Sequence, residues 1–375
     1  MTQHLNRRTF LVSGALAAST TRAEAAPRKG AGTYRAFELG TQTGGASGAP
    51  TLHMVTRAAL VPRYGEVVMR VRATGIGARD LRIIMGDFGP LRPSSRVPGQ
   101  DNAGDVMAVG PGVDTVKVGD RVVCCHYPLY LDGAWDIDMV RQDFGNILDG
   151  FFSEQALVPA AALVKLPDRM SYEEASTLQS SVLTPWRGLV EAKTLPGETV
   201  LTLGTGNVSV FGMQLAKMMG ARVIITSSSD EKLAKVKTMG ADLTVNYKTF
   251  PDWDKEVLRL TGGRGADVVL NTVGYSTLEK SLASCASNGR VMQLGAAESF
   301  KDANVKNLPN LILKDLTIKG FTVASRAMLA DLVRAVESNN FKPYIDRVFP
   351  FEQTLDAIRY AQSGEKIGKV VIRIA

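Results

Sequence analysis

The chain has 375 residues, of which 45% are hydrophobic and 22% are charged, and its formal net charge is +7. At roughly 150 residues per domain, this length predicts two or three domains with ample core. The composition excludes a disordered, collagenous or disulfide-scaffold protein. No apolar run approaches the roughly 20 residues that span a membrane as a helix, and no block of Lys and Arg indicates a nucleic-acid partner.

Residues 1–26 resemble a twin-arginine export signal. Arg7 and Arg8 precede a short apolar stretch, and Ala23-Glu24-Ala25 has the small-x-small pattern of a cleavage site. The sequence therefore predicts a periplasmic or exported protein, or a cytoplasmic one if the signal is not used. The alternative is a basic N-terminus with accidental order. Removing the segment would lower the net charge to about +5, because it carries three Arg and one Glu.

The next part of the chain is β-rich. Residues 27–33 indicate a linker, and short strand-like segments with turns between them run from Tyr34 to about Val123. Residues 124–152 are aromatic, acidic and irregular, which is typical of a long functional loop. This half predicts a barrel-like module.

From about Val182 the pattern changes to alternating strands and helices, which predicts a parallel sheet covered by helices. The chain then returns with helices at 327–338 and near 352–363 and a closing strand, Lys369–Ile374. The strand-like runs of the alternating part are Thr199–Leu203, Arg222–Thr226, Asp242–Asn246, Asp267–Leu270 and Arg290–Leu294, with helical stretches at 208–219, 230–239, 252–260 and 276–286.

A glycine turn joins the first of these strands to its helix. The segment Gly204-Thr205-Gly206-Asn207-Val208-Ser209 follows an apolar strand and opens a helix, the context that a dinucleotide fingerprint requires. Gly204 allows the turn, Gly206 lets the backbone approach a pyrophosphate, and Ser209 is small enough for close packing. The helix N-terminus offers free N–H groups to the anion. We therefore expect a dinucleotide cofactor.

The end of the second strand indicates which dinucleotide. An NAD site usually places a carboxylate there to hold the ribose hydroxyls. Here the strand runs into Ser227-Ser228-Ser229, with Lys232 soon after. Hydroxyls and a cation suit a 2′-phosphate, so NADP(H) is favoured over NAD(H). These serines also fit a helix N-cap before Asp230, and both roles are compatible.

Several segments together resemble the medium-chain dehydrogenase/reductase superfamily, in its zinc-independent branch of alcohol-dehydrogenase-like and quinone-oxidoreductase-like proteins. The resemblance implies an α/β fold in which a Rossmann-type, doubly wound parallel sheet (182–323) is inserted into a β-rich, GroES-like catalytic domain (34–181 and 324–375), and it implies a homodimer. The segments that carry it are 65–71, 75–81, 98–104, 118–122, 127–133, 204–206, 324–326 and 368–371.

The resemblance also raises the question of zinc. Zinc members hold the catalytic metal with a Cys and a His at positions that are Gly77 and Gln100 here, and neither residue is a zinc ligand. The structural zinc lobe needs four closely spaced Cys, whereas this chain has three, Cys124, Cys125 and Cys285. We therefore expect no metal. His126, beside the paired cysteines, is expected to pack the loop.

The remaining chemistry is hydride transfer between nicotinamide and a carbonyl, quinone or enone substrate, with hydrogen bonds to the developing oxyanion. Candidate catalytic residues are Arg79, Gln100, Tyr127 and Tyr130, although the tyrosines could simply pack the loop and Arg79 could pair with Asp80 or Asp101. Gly77 and Ala78 stand where relatives carry hydrogen-bonding side chains, so a non-catalytic NADPH-binding or sensor protein is the alternative. The cofactor contacts implied by the resemblance are Thr184, Gly204, Gly206, Asn207, Val208, Ser227, Ser228, Lys232, Tyr247, Asn271, Gly274, Leu294, Gly295, Ser325 and Arg326.

Overall fold

The computed structural model describes residues 29–42, 51–295 and 309–374. The expected export signal at 1–26 lies outside the described residues. Within the described ranges, no helix combines the length and the apolar character needed to cross a bilayer.

The first part of the chain is built of short, mostly antiparallel strands, as the sequence predicts. The strand β1 begins at Lys29, inside the expected linker 27–33, because Lys29 already pairs with Leu60 of β2; the register shifts before the pairing continues from Thr33 to Leu39. After Cys124, the last residue of β5, the irregular stretch to residue 152 is a loop with a 3-10 turn at Ile137–Gln142 and an isolated bridge between Phe144 and Leu148. The strands and the helix of this part are β1 (Lys29–Leu39), β2 (Leu52–Leu60), β3 (Glu66–Ile76), α1 (Ala78–Met85), β4 (Ala103–Val109), β5 (Arg121–Cys124), β6 (Gln155–Pro159) and β7 (Leu163–Lys165).

The helix α1 was not expected, and it begins where β3 ends. Gly77 is extended, and its N–H donates to the Asp80 carboxylate at 2.8 Å. This contact satisfies one of the free amides at a helix N-terminus. The motif from Gly75 to Leu81 is therefore a strand-to-helix corner.

A continuous helical run connects the two halves. It consists of α2 (Tyr172–Ser176), a π-helical turn at Leu178–Val182 and α3 (Leu183–Glu191). The expected domain boundary at 181/182 falls inside this run. A π turn within a helix often marks a functional site, and this turn carries Gln179, Ser180 and Ser181 toward the first part of the chain.

The second half alternates strictly between strand and helix. One expected boundary differs: the predicted helix 276–286 ends early, because Cys285 already pairs with Ala266 in the sheet. The elements are β8 (Thr199–Thr202), α4 (Asn207–Met218), β9 (Arg222–Ser227), α5 (Asp230–Thr238), β10 (Leu243–Asn246), α6 (Trp253–Leu260), β11 (Ala266–Asn271), α7 (Leu278–Ala283), β12 (Cys285–Gln293), α8 (Pro309–Leu313) and β13 (Thr317–Gly320).

These strands form a parallel sheet in the order β10-β9-β8-β11-β12-β13. Neighbouring residues of one strand belong to different cores: Val200 packs with α4, whereas Leu201 packs with α6 and α7. Both faces are therefore covered by helices. Strand order and burial confirm the predicted Rossmann-type, doubly wound sheet.

The end of the chain returns to the first sheet. Strand β15 (Lys369–Arg373) pairs antiparallel with β3 and parallel with β14 (Ile345–Pro350), giving the order β14-β15-β3-β4-β5-β7, with β6 also paired to β3. Helices α9 (Arg326–Ser338) and α10 (Thr354–Gln362) lie close to the predicted ranges. The parallel sheet is thus an insertion into the first domain, and the two meet where Gly206 bridges Gly368 and Asn207 donates a hydrogen bond to Ile76. The region between this junction and the contact of Gln100 with Ser180 is called the cleft below.

Candidate active site and cofactor site

The glycine turn leaves open space at the mouth of α4. Gly204 has a φ of +80°, a conformation that side chains rarely adopt, and a Cβ at Gly204 or Gly206 would meet nothing within 4 Å. Gly206 caps α4 without a side-chain hydrogen bond, so the first amides of the helix have no side-chain acceptor there. The turn can therefore hold a pyrophosphate.

Ser209, in the third position of the fingerprint, ties the helix to the sheet. Its hydroxyl donates to the carbonyl of Leu203 at 2.6 Å and lies 2.9 Å from the Thr272 hydroxyl. A serine thus provides the close helix–strand packing that the third glycine usually allows.

The turn is also the contact between the two domains. The amide of Asn207 donates to the Ile76 carbonyl at 3.2 Å, and the N–H of Gly368 donates to the Thr205 carbonyl at 3.0 Å. The ends of β3 and the start of β15 are therefore held against the predicted cofactor turn. The Asn207 carboxamide oxygen also accepts a hydrogen bond from Lys366 at 2.8 Å, a partner that the sequence did not indicate.

The residues predicted to meet the 2′-phosphate, Ser227, Ser228 and Lys232, lie at the end of β9 and in the first turn of α5. Ser227 is buried and accepts from the Ser229 N–H at 3.4 Å, while the Ser229 hydroxyl caps α5, as predicted. Lys232 donates to the carbonyls of Gly364 and Lys366. Ser228, between Ser227 and Ser229 in the sequence, is half-buried. Strand β9 ends without a carboxylate.

Tyr247 lies on the neighbouring strand end. Its N–H donates to the Ser227 carbonyl at 3.0 Å, and its side chain is 41% exposed. The ring is therefore available to a ligand at this edge of the sheet.

The residues predicted at the later strand ends mainly hold their own loops. The Asn271 amide is fully buried and donates to the Gly274 carbonyl and to Gln293, and the N–H groups of Leu294 and Gly295 donate to the Asn271 carbonyl. The Asn271 side chain therefore shapes the edge of the cleft and offers no free donor within the described residues.

Thr184, Ser325 and Arg326 likewise use their side chains within the fold. The Thr184 hydroxyl donates to the Ser180 carbonyl at 2.8 Å, one turn back in the helix. Ser325 caps α9, and the Arg326 guanidinium donates to the Leu163 carbonyl at 3.1 Å. Val208 is half-buried in the first turn of α4.

Gln100 and Gly77, the two positions that the sequence resemblance compares with zinc ligands, lie next to each other. The Gln100 amide nitrogen lies 2.7 Å from the point that a Cβ on Gly77 would occupy, and 3.2 Å from the Ser180 hydroxyl to which it donates. Gly77, Gln100 and Ser180 thus lie side by side. The polar side-chain groups that they present are the Gln100 amide and the Ser180 hydroxyl. Across the described residues, no group of three or more His, Cys, Asp or Glu side chains is arranged to hold a metal.

Arg79 pairs with neither Asp80 nor Asp101, the two partners that the sequence suggested. Its guanidinium binds Asp143 on the long loop and donates to Gln100 at 3.3 Å. The Nε2 of buried His126 lies 2.9 Å from the same carboxylate, whose other hydrogen bond comes from Asn146 at 2.8 Å. Burial lowers the pKa of His126, so the ring is neutral at neutral pH. Asp143 was missed because nothing in its local sequence distinguishes it.

Tyr127 and Tyr130 are buried and pack the loop. The indole of Trp135 contacts both rings, with centroids 5.0 Å and 5.3 Å away. The Tyr130 hydroxyl donates to the Gly133 carbonyl at 3.2 Å, whereas the Tyr127 hydroxyl makes only a long contact of 3.4 Å with Thr322. Of the two, Tyr127 has the freer hydroxyl.

A second buried cluster lies under the cleft. The Lys369 ammonium forms an ion pair with Asp101 and donates to Ser181 at 2.9 Å, and both charged side chains are fully buried. Gln179 donates to the same carboxylate at 2.9 Å. The cluster joins β15, the Gln100-Asp101 segment and the π turn, so it fixes the polar side of the cleft.

Asp80 is buried beside this cluster. Burial, with a contribution from the Asp101 charge, raises the pKa of Asp80 to about 6. Its Oδ1 has no hydrogen-bond partner among the described residues.

Comparison with known proteins agrees with this architecture. The family model of the alcohol dehydrogenase GroES-like domain matches residues 63–168, and the model of the zinc-binding dehydrogenase domain matches residues 208–338. A zinc-type alcohol dehydrogenase-like protein of Schizosaccharomyces pombe is 39% identical over 83% of this chain and 91% of its own length.

Two further proteins are similar to this chain across both of its domains. An acryloyl-coenzyme A reductase of Metallosphaera sedula is 32% identical over 83% of this chain and 93% of its own length. The crystal structure of a putative alcohol dehydrogenase from Sinorhizobium meliloti 1021 superposes with a TM-score of 0.82 at 33% identity, covering 91% of this chain and 98% of that one. A GroES-like domain, a Rossmann-type sheet and these relatives show that the chain belongs to the medium-chain dehydrogenase/reductase superfamily and is an NAD(P)-dependent oxidoreductase.

Proposed function

We propose that the chain is a zinc-independent, NADP(H)-dependent oxidoreductase that transfers hydride between nicotinamide and a carbonyl, quinone or enone substrate. The observation that carries the proposal is the position of Gln100, whose amide takes the space beside Gly77 and is bound to Ser180.

Zinc does not fit this set of side chains. Catalytic zinc in proteins takes thiolate, imidazole and carboxylate ligands, whereas Gly77 has no side chain and Gln100 and Ser180 present neutral donors. The carboxylate next in sequence, Asp101, is already bound by Lys369. Binding a cation there would separate a fully buried ion pair, which is strongly unfavourable.

The nucleotide site supports NADP(H). The end of β9 presents Ser227 and Ser228, and Lys232 lies one turn into α5. A carboxylate that would repel a 2′-phosphate does not occur at this strand end. Nicotinamide supplies or accepts the hydride when it is bound at the cleft.

The chain's own residues then position and polarise the substrate. Gln100 and Arg79 lie in contact at the polar side of the cleft, and the Arg79 cation is held by Asp143. We propose that they, with the Tyr127 hydroxyl, donate hydrogen bonds to the substrate oxygen. The aromatic cluster of Tyr127, Tyr130 and Trp135 excludes water from one wall.

The proposed substrate class rests on the poor fit of Gly77, Gln100 and Ser180 to a metal that could act as a Lewis acid. Enones, quinones and reactive carbonyls accept hydride with hydrogen bonding alone, whereas unactivated alcohols gain most from metal activation. The similarity to an acryloyl-coenzyme A reductase, whose named substrate is an activated alkene, supports an enone.

Steady-state oxidation of NADPH with a panel of quinones, enones, enoyl thioesters and aldehydes tests the proposal. We expect turnover with at least one class, a preference for NADPH over NADH, and no stoichiometric zinc in the purified protein. Stoichiometric zinc would overturn the proposed independence from zinc, and equal use of the two nucleotides would overturn the proposed preference for NADP(H).

A non-catalytic NADPH-binding or sensor protein is the second candidate, favoured by Gly77 and Ala78 at the corner of β3 and α1. Tight binding of NADPH without turnover of any acceptor would support it against the enzyme.

We further propose that the chain is exported through the twin-arginine route and that it forms a homodimer. The motif in residues 1–26 supports export. The strand β13, whose residues are all exposed, is the last strand of its sheet within the described ranges, and its outer edge could pair with a second copy. Cell fractionation and light scattering test the two proposals.

A further inference from the structure

A lysine of the return segment lies at the mouth of the glycine turn. The Lys366 ammonium donates to the Asn207 side chain at 2.8 Å and to the Gly368 carbonyl at 3.3 Å. Asn207 is the first residue of α4, and Gly368 forms a β-bridge with Gly206. Lys366 therefore sits where two chain segments, remote in sequence, meet at the open N-terminus of a 12-residue helix.

The surroundings of Lys366 leave its charge uncompensated. Among the described residues, no carboxylate lies within the 4.0 Å distance of an ion pair with this ammonium. The charged groups that face it are Lys369, Lys232 and Asp346; Lys369 is paired with Asp101, and Asp346 accepts a hydrogen bond from Tyr360. Two positive neighbours and one engaged carboxylate give a net positive site.

Lys232 reinforces this arrangement. Its ammonium donates to the main-chain carbonyls of Gly364 and Lys366, so it fixes the segment that carries Lys366 beside α5. The segment thus bridges the glycine turn and the end of β9, the two places that a dinucleotide contacts.

We propose that Lys366 supplies the cation for the pyrophosphate of the dinucleotide, moving from Asn207 to the phosphate oxygens when the nucleotide binds. The proposal rests on the dinucleotide binding of the proposed function, but it requires neither turnover nor a preference for NADP(H).

The proposal has a consequence for pH. Burial, together with the neighbouring Lys369 charge, lowers the pKa of Lys366 to about 8 in the free protein. A phosphate anion favours the charged amine, so binding at pH 8, where about half of the amines are neutral, would take up about half a proton. The affinity would be highest below pH 8 and fall as the pH rises above it.

The test measures nucleotide binding, by fluorescence titration and calorimetry, between pH 6.5 and 9.5. We expect Lys366→Met to weaken NADPH and NADH by the same factor, about tenfold to a hundredfold at pH 7, because a charged hydrogen bond is lost in both cases. Lys366→Arg should retain the affinity within a few-fold and remove the fall above pH 8, since arginine stays charged. Lys237→Met, which removes an exposed lysine of α5, should behave as the wild type.

Calorimetry in buffers of different ionisation enthalpy should show uptake of about half a proton at pH 8 by the wild type and none by Lys366→Met. Unchanged affinity in Lys366→Met, or a pH dependence that persists in it, would overturn the proposal. A loss confined to NADPH would also overturn it, by assigning Lys366 to the 2′-phosphate. A wild type that binds neither nucleotide would overturn the proposed function as well.

Discussion

Gly75 and Gly206 are glycines for different reasons: the first for packing within the fold, the second for space at the proposed nucleotide site. A Cβ at Gly75 would lie 2.2 Å from Lys369 Cε and 2.9 Å from Asp101 Oδ2, whereas a Cβ at Gly206 would meet nothing. Position 75 requires glycine because the buried ion pair of Lys369 and Asp101 occupies the space that a side chain would need. Gly206 is small because it borders open space that a ligand can fill.

We therefore expect opposite effects from the same substitution at these two positions. Gly75→Ala should destabilise the fold by about 3 kcal/mol, because overpacking displaces an ion pair that has no room to move. Gly206→Ala should change the melting temperature little and weaken nucleotide binding. Thermal melts and nucleotide titration of both variants check this, and an unaltered melting temperature in Gly75→Ala would contradict the packing argument.

Asp80 gives a pH-dependent prediction. Its pKa of about 6 in the folded protein lies above the ordinary value of 3.8, so folding favours the protonated form. The contribution of this group to stability is fully present below pH 4 and is lost as the pH rises through 6. The shift in the pKa of Asp80 lowers the free energy of unfolding by about 3 kcal/mol at pH 8 relative to pH 4.

Asp80→Asn should therefore raise the free energy of unfolding at pH 8 by up to about 3 kcal/mol and leave it nearly unchanged at pH 4. Asparagine keeps an acceptor for the Gly77 N–H. Urea unfolding at both pH values measures the effect. Asp101→Asn is the contrasting variant: it leaves Lys369 charged and buried, and it should destabilise by about 3–5 kcal/mol.

At the scale of elements, the long loop 124–152 is ordered by contacts of two kinds. The aromatic cluster holds its first half, and the Arg79–Asp143 ion pair, together with His126, holds its second half against α1. The main chain of the loop also caps α9, since the N–H of Arg326 donates to the Tyr130 carbonyl at 2.9 Å. The loop is thus a wall of the cleft that packs on the return segment.

Trp135→Ala should loosen the loop without unfolding the domains. The substitution removes two aromatic contacts that join residues of this loop to one another. We expect faster limited proteolysis within 128–142 and a higher KM for the substrate, with nucleotide affinity unchanged. Ile137→Ala, at a side chain that is 70% exposed, is the matched control. Equal proteolysis of the two variants would show that Trp135 does not hold the loop.

At the scale of the whole molecule, the inserted sheet and the catalytic domain are joined by the glycine turn itself. β15 begins at the turn, pairs with β3 and carries Lys369 into the cleft cluster. A nucleotide that binds this turn therefore contacts elements of both domains.

Nucleotide and chelator should accordingly have different effects on the intact protein. NADPH at about 100 times its Kd should stabilise the fold by about 2.7 kcal/mol, because it binds only the folded chain. If the protein is independent of zinc, as we propose from the side chains around Gln100, incubation with 1,10-phenanthroline should change neither the melting temperature nor the NADPH oxidation rate. A zinc-dependent alcohol dehydrogenase treated in parallel is the control, and loss of activity in both proteins would contradict the proposed independence from zinc.

Features that depend on neighbouring residues could be predicted from the sequence. The strand and turn around Gly204 and Gly206 and the alternation from β8 to β12 are local signals, and so the sequence alone predicted the fold class that the structure confirms. The count of Cys and His supports the proposed independence from zinc, which stays a prediction. The helix α1 and the early start of β12 were not predicted, because pairing with distant strands overrides weak local preferences.

Contacts between remote segments were decided only by the tertiary structure. Arg79 and Asp143 are 64 residues apart, and Asn207 and Lys366 are 159 apart. The local sequence around these residues does not indicate their partners. Arg79 meets Asp143 only when the loop folds back on α1, and Asn207 meets Lys366 only when β15 joins the first sheet. The sequence alone therefore determined where the glycine turn lies, because its signal is local, whereas the tertiary structure decided which charges surround it, because they come from remote segments.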